Sequence, residues 1–305
     1  MALLFETSPW LFACVAATFG LLVGSFLNVV IYRVPVMMQR EWDSQFADWQ
    51  REQQDAKNKQ ATETTPSADV APFNLATPAS TCPKCDHKIR AIENIPLLSY
   101  LFLRGRCSGC STKISLRYPF VEFLTGAASL AVALRFGPGL EAIAGIVLTW
   151  FLIALSGIDI DHQLLPDNMT LPLLWIGLTL SLFPVPDTTV LFISPQDAII
   201  GALAGYLVLW LVFHAFRLLT GKHGMGYGDF KLLAALGAWL GWAALPLIII
   251  LSALSGALFG IAMIVTGQQQ RGATMPFGPW LAIAGWLFLM FGNTLNTWYL
   301  ATLGL

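Results

Sequence analysis

The sequence predicts an all-α polytopic membrane protein, with about eight transmembrane helices and a large cytoplasmic zinc-knuckle loop between the first two. Three observations carry this. The 305 residues are 56% hydrophobic and only 11% charged, where a soluble domain has about 25% charged residues. Mean hydropathy is +0.65, and the apolar residues fall into runs near the roughly 20 needed to cross the hydrocarbon core. Twelve of the seventeen lysines and arginines lie between Arg33 and Arg117. A water-soluble core is therefore excluded, and a lipid bilayer is the surrounding medium. The net charge of -1 says little about partners because the charges are so unevenly spread. No nucleic-acid partner is expected.

The spans are expected at roughly 10–32, 118–136, 140–158, 170–185, 197–219, 230–243, 245–266 and 279–300. The fourth and sixth are short, and the break near Gly241–Pro246 rests on turn residues alone. The N-terminus lacks a basic region and Glu6 precedes the apolar run, so it reads as a retained first span, not a cleaved signal. Cytoplasmic loops carry the excess of Lys and Arg. That places 33–117 in the cytoplasm and, by alternation, 159–169, 217–229 and 267–278 on the same side. The outer loop 186–196 has no Lys or Arg, and only Arg135 runs against the pattern. Three regions follow: a first helix at 1–32, a cytoplasmic loop at 33–117 and a membrane core at 118–305. Residues 39–80 are polar and read as a partly disordered or loosely helical insert. Within it Trp42, Phe46 and Trp49 recur at helical spacing, as a short interfacial helix would. No internal repeat is evident.

Cys82-Pro-Lys-Cys85 and Cys107-Ser-Gly-Cys110 are two CxxC knuckles with 21 residues between them. The separation lies just beyond the usual window of about 15–20. Two tight turns, each presenting two thiolates, supply the tetrahedral four-sulfur shell that zinc prefers. Disulfides are the other reading, and a cytoplasmic side disfavours them. Four protein ligands leave no open position, so the zinc is structural. His87 is then a surface neighbour, and Cys14, inside the first span, a buried apolar residue.

The core is nearly free of charge, so its carboxylates stand out. "SGIDIDHQLLPD" (156–167) ends the third span and opens the fourth, and "GMGYGDFKLLAALGAW" (224–239) brings Asp229 to the mouth of another. Charge at membrane depth is costly and usually functional. Alternation puts Asp159, Asp161 and Asp229 at one face. Two carboxylates within hydrogen-bond distance share one proton and so hold a base and an acid together. The base can activate water while the acid protonates the departing group. Asp161 points about 200° around a helix from Asp159. One of the two faces the centre, and periodicity alone does not choose between them. Asp167 reads as a helix-start residue. Lys231 snorkels or pairs with a carboxylate, and His162 and His223 read as interfacial polar residues. Gly226 and Gly228 let a substrate backbone approach closely.

Taken together these stretches resemble the type IV prepilin peptidase family, the bifunctional leader peptidase/N-methyltransferases. The resemblance rests on "GSFLNVVIYRVP" (24–35), the paired knuckles with "ENIPLLSYLFLRGRC" (93–107), "LRYPFVE" (116–122), "DIDHQLLPD" (159–167), "GMGYGDFKLLAALGAW" and "PFGPWLAIAGW" (276–286). It covers most of the chain apart from 39–80. The resemblance implies a membrane aspartic protease of the GxGD type, with Asp229 and Asp159 as its pair. Asp161, Gly226, Gly228 and Lys231 are then supporting residues. It implies a prepilin or pseudopilin substrate of a type IV pilus or type II secretion system. Cleavage would fall after a glycine at the cytoplasmic face of the bacterial inner membrane. It also implies methylation of the new N-terminus from S-adenosylmethionine. No Gly-rich fingerprint marks a site for that donor. Glu93, Gly105 and Arg106 in the zinc loop are the weaker candidates, with folding of the loop as their other reading. "PFGP" (276–279) would line the aspartate cavity, or simply start a helix.

Two other classes fit parts of the pattern. A proton-coupled transporter holds rare membrane carboxylates, but near the midplane and with paired interrupted helices. An assembly scaffold would use the knuckles and leave the aspartates unexplained.

Overall fold

The computed structural model describes residues 8–58, 73–183, 193–222, 224–267 and 275–303. Its helices are α1 (Pro9–Asn58), α2 (Leu98–Phe102), α3 (Arg117–Phe136), α4 (Leu140–His162), α5 (Asp167–Leu180), α6 (Pro195–Thr220), α7 (Tyr227–Leu240), α8 (Leu245–Val265) and α9 (Gly278–Leu303). Among the described residues the only β-pairing is two isolated antiparallel bridges. Eight long helices among the described residues overlap the eight expected spans, without showing that all eight cross a membrane. Five described segments are long and apolar enough to cross a membrane: Pro9–Gln53, Arg117–Phe136, Leu140–His162, Pro195–Thr220 and Trp242–Val265. Helices α5 and α7 have 14 residues each, about 21 Å of rise against a hydrocarbon core of about 30 Å.

Local chemistry sets the helix ends. Ser194 caps α6 by accepting the Asp197 amide, Pro195 follows it, and Gly221 closes the helix in the left-handed conformation. Gly241, at φ +83°, breaks the chain between α7 and α8 where the turn residues predict it. Helix α7 is the centre of the molecule. Phe230 and every residue from Leu232 to Leu240 are buried, as expected for a helix apolar on all faces. It packs against α5, α6 and α9, while α1, α3 and α4 pack beside one another and α4 also meets α9. Contact between α6 and α7 is backbone to backbone: a Cβ on Gly201 would lie 2.2 Å from the Gly237 carbonyl oxygen.

Four expectations change. The first helix does not stop near residue 32 but continues through Pro35 to Asn58. Trp42, Phe46 and Trp49 therefore belong to this continuous helix, not to a separate interfacial one. The membrane segment supplies the nucleus, and the Gln-, Glu- and Ala-containing stretch beyond it propagates without needing an apolar stripe. Residues 59–72 of the insert lie outside the described residues. Cys14 is exposed on the outer face of α1 instead of buried. The knuckles also form a small internal repeat, described below.

Arg33, near the middle of α1, was not singled out by its sequence context. It is 7% exposed. Its guanidinium donates to the carbonyls of Asn74 (2.8 Å) and Pro78 (2.6 Å). This folds the entry to the zinc loop back onto α1.

Candidate active site

Asp159 lies in the last turn of α4 and Asp229 in the first turn of α7. They are only 5% and 7% exposed. One oxygen of Asp159, Oδ2, accepts the Gly278 amide at 2.9 Å, at the start of α9. Leu165, in the turn between α4 and α5, packs between the two glycines that flank the site. A Cβ on Gly228 would lie 2.6 Å from Leu165 Cβ, and one on Gly278 would lie 2.7 Å from Asp159 Oδ2. Leu165 lies beside both the residue that precedes Asp229 and the residue that binds Asp159. The end of α4 and the starts of α7 and α9 thus close around two buried carboxylates at one end of the bundle.

The neighbours sort themselves by face. Asp161 turns away from Asp159 and pairs with Arg117 at the start of α3. The Arg117 guanidinium also donates to the Gly157 carbonyl at 3.4 Å. Lys231 Nζ donates to both oxygens of Asp167, at 2.6 and 2.7 Å, which ties the start of α5 to the first turn of α7. His162 is exposed, and His223 lies outside the described residues. Gly226 precedes α7 in an extended conformation, and a Cβ there would come within 3.7 Å of Asp229 Oδ2. Gly278 falls in the "PFGP" stretch expected to line this cavity. That its amide binds Asp159 was not legible, because a backbone donor leaves no mark in residue type.

The four sulfurs of Cys82, Cys85, Cys107 and Cys110 lie within 4.8 Å of one another. Cys82 and Cys110 are 3.8 Å apart, and Cys85 and Cys107 3.9 Å. These separations are far beyond a disulfide bond. Sulfurs about 2.3 Å from a tetrahedral zinc ion stand about 3.8 Å apart, so the residues fit zinc. The knuckles repeat each other. Thr81 bridges Lys88 as Arg106 bridges Lys113. Asp86 and Ser111, each just after a second cysteine, hold positive φ, and their amides bond to the carbonyls of Cys82 and Cys107.

His87 joins the knuckles without entering the sulfur cluster. Its Nε2 lies 3.1 Å from Glu93 Oε2 and 3.0 Å from the Ser108 hydroxyl. Glu93 also accepts the Arg90 amide at 2.9 Å. That amide first, then Ser108 and His87, hold its carboxyl down at about 2. Gly105 has φ +66° and sits against the Tyr100 hydroxyl, while Arg106 is exposed.

Fold and site define a polytopic helical membrane protein with two buried carboxylates at one end and a four-cysteine module between its first two long helices. Residues 18–136 match the Bacterial Peptidase A24 N-terminal domain, and residues 146–261 match the Type IV leader peptidase family. The chain is 51% identical over 303 residues to the prepilin leader peptidase/N-methyltransferase of Aeromonas hydrophila, covering 98% of this chain and 99% of the relative. It is 50% identical to that of Aeromonas salmonicida over 306 residues, covering 99% and 100%. It is 51% identical to that of Stutzerimonas stutzeri over 294 residues, 96% of each. No solved structure matches it significantly. The chain belongs to the type IV leader peptidase family and is an enzyme.

Proposed function

We propose that the chain removes the leader from type IV prepilins or pseudopilins and then methylates the new N-terminus. The observation that carries the first reaction is the burial of Asp159 and Asp229 at one end of the bundle, with Leu165 between the glycines that flank them. One carboxylate, ionised, takes a proton from water. The water oxygen attacks the carbonyl carbon of the scissile bond. The other carboxyl, protonated, gives its proton to the substrate, and the amine leaves. Gly278 holds Asp159 through its amide, leaving the other oxygen for water or substrate. Gly226, Gly228 and Gly278 keep the walls low enough for an extended peptide. Asp161, Asp167 and Lys231 hold the helix ends that carry the pair. The site would face the cytoplasm at the inner membrane, with cleavage after a glycine.

Zinc would be held by Cys82, Cys85, Cys107 and Cys110 and would fix the two knuckles as one unit. The methyl donor, S-adenosylmethionine, would supply an electrophilic methyl group. Glu93, held ionised, suits its sulfonium charge, and exposed Arg106 suits its carboxylate. Gly105 shapes the turn between them.

The test uses purified enzyme, a prepilin and labelled S-adenosylmethionine. Asp159→Asn and Asp229→Asn should each abolish cleavage while a precleaved pilin is still methylated. Near-normal cleavage by either folded variant would sink the assignment of the pair.

A further inference from the structure

Three of the stretches that carry the family resemblance play no part in the aspartate pair, yet they meet at one point. Glu122 of α3 is half-buried where α1 and α3 pack closely. A Cβ on Gly24 would lie 2.7 Å from its Cα. Glu122 Oε2 accepts the Leu97 amide at 2.9 Å, and Leu97 holds φ +58° there, a conformation leucine rarely adopts. The Ser25 hydroxyl, in a residue only 8% exposed on the turn of α1 that follows Gly24, donates to Asn94 Oδ1 at 3.4 Å. Asn28 spans from α1 to the Tyr118 carbonyl at 3.1 Å. Among the described residues no lysine, arginine or histidine forms an ion pair with Glu122. A carboxylate at membrane level without a cation is a costly feature.

We propose that Glu122 receives the ammonium group of the newly made N-terminus and takes its proton before methyl transfer. This rests on the peptidase and methyltransferase reading above. Position supports it. The Arg117–Asp161 pair ties the first turn of α3 to the end of α4, so Glu122 lies at the same end of the bundle as the aspartates. It is about 7.5 Å further along α3 than Arg117. In the proposed reaction the bond is cut at the membrane face, so the amine it frees lies at that level, and Asn94, next to Glu93, meets Ser25 there. Comparison with the other described carboxylates of the 18–136 unit supports it too. Glu41, Asp43, Asp48, Glu52 and Asp86 are exposed to solvent, and Glu93 is held at about 2 by its partners and does not take up a proton near neutrality.

The chemistry balances. A proton passes from the ammonium nitrogen to the Glu122 carboxylate, leaving a neutral amine and a carboxylic acid. The freed nitrogen lone pair forms the nitrogen–carbon bond as the donor's carbon–sulfur bond breaks, and the sulfur keeps that pair. Ser25 and Asn94 offer oxygens to the remaining N–H groups.

The experiment compares full-length wild type with Glu122→Gln in nanodiscs. Binding of a precleaved pilin peptide is measured without methyl donor, as the free amine and as its N-acetylated form. Cleavage, methyl transfer and zinc content are read separately. Wild type should prefer the free amine, and the variant should lose that preference. Methyl transfer should fall at least about 100-fold, with cleavage within about twofold and zinc retained. A retained preference, or near-normal methyl transfer, overturns the inference. So does joint loss of zinc, cleavage and methylation, which would make Glu122 only a seat for the Leu97 turn. A wild type that transfers no methyl group would instead overturn the methyltransferase reading, and this inference with it.

Discussion

The Gly278 amide donates to Asp159 Oδ2 at 2.9 Å, across 119 positions of sequence. This bond fixes one of two buried carboxylates from a helix start that carries no charge of its own. Gly278 cannot gain a side chain without moving Asp159, since the added Cβ would lie 2.7 Å from Oδ2. Gly278→Ala should therefore lower prepilin cleavage by about 100-fold, the usual cost of displacing a reacting group by about 1 Å. Zinc content and methylation of precleaved pilin should be unchanged. A variant that cleaves at the wild-type rate would show that this bond does not position the pair.

Cleavage should also have two pH limits. A pair that shares a proton loses its base when it gains a second proton at low pH. It loses its acid when the last proton leaves at high pH. The rate constant kcat/KM for prepilin cleavage, followed across pH, should thus rise and then fall. A profile that stays flat through the acid range would contradict a proton-sharing pair.

Much of this was legible in residue type and order. Rare carboxylates in an apolar chain marked Asp159, Asp161, Asp167 and Asp229, and paired CxxC spacing marked the sulfur cluster. The helix periods placed Asp159 and Asp161 on different faces without saying which one turns inward. The Arg117 partner of Asp161 decides that in the structure, and it lies 44 positions away in sequence. Helix α1 was under-read because its polar half lacks an apolar stripe, although helix, once nucleated in the span, continues through good helix formers. The links through Gly278, Arg33 and Glu122 were hidden for a different reason. Each joins a side chain to a backbone group on a distant segment, and backbone groups are the same in every residue.

The Lys231–Asp167 pair looks strong by distance, at 2.6 Å, but the Asp167 side chain is 56% exposed. Solvent screening limits such pairs to about 1 kcal/mol or less. Lys231→Met and Asp167→Asn, measured singly and together in a thermal double-mutant cycle, should show coupling below that size. Because the pair tethers α5 beside the first turn of α7, either change should slow cleavage by only a few-fold. Complete loss of cleavage in Lys231→Met would mean that the ammonium touches the reacting groups.

Removing zinc should separate the two reactions. The four sulfurs hold two knuckles whose only other described side-chain link runs through His87, Glu93 and Ser108. Those are bonds between solvent-accessible groups and cannot hold the unit without metal. Structural zinc sites supply folding energy directly, so a strong chelator, or Cys82→Ser, should unfold the 82–113 region. The aspartates reside on α4 and α7, and Gly278 on α9, helices that pack against one another within the bundle. Cleavage should accordingly persist within a few-fold, while methyl transfer is lost and the loop becomes sensitive to protease. Added zinc should restore the chelated wild type but not Cys82→Ser. Equal loss of both reactions on chelation, with the membrane helices still folded by circular dichroism, would show that the knuckles also shape the peptidase site.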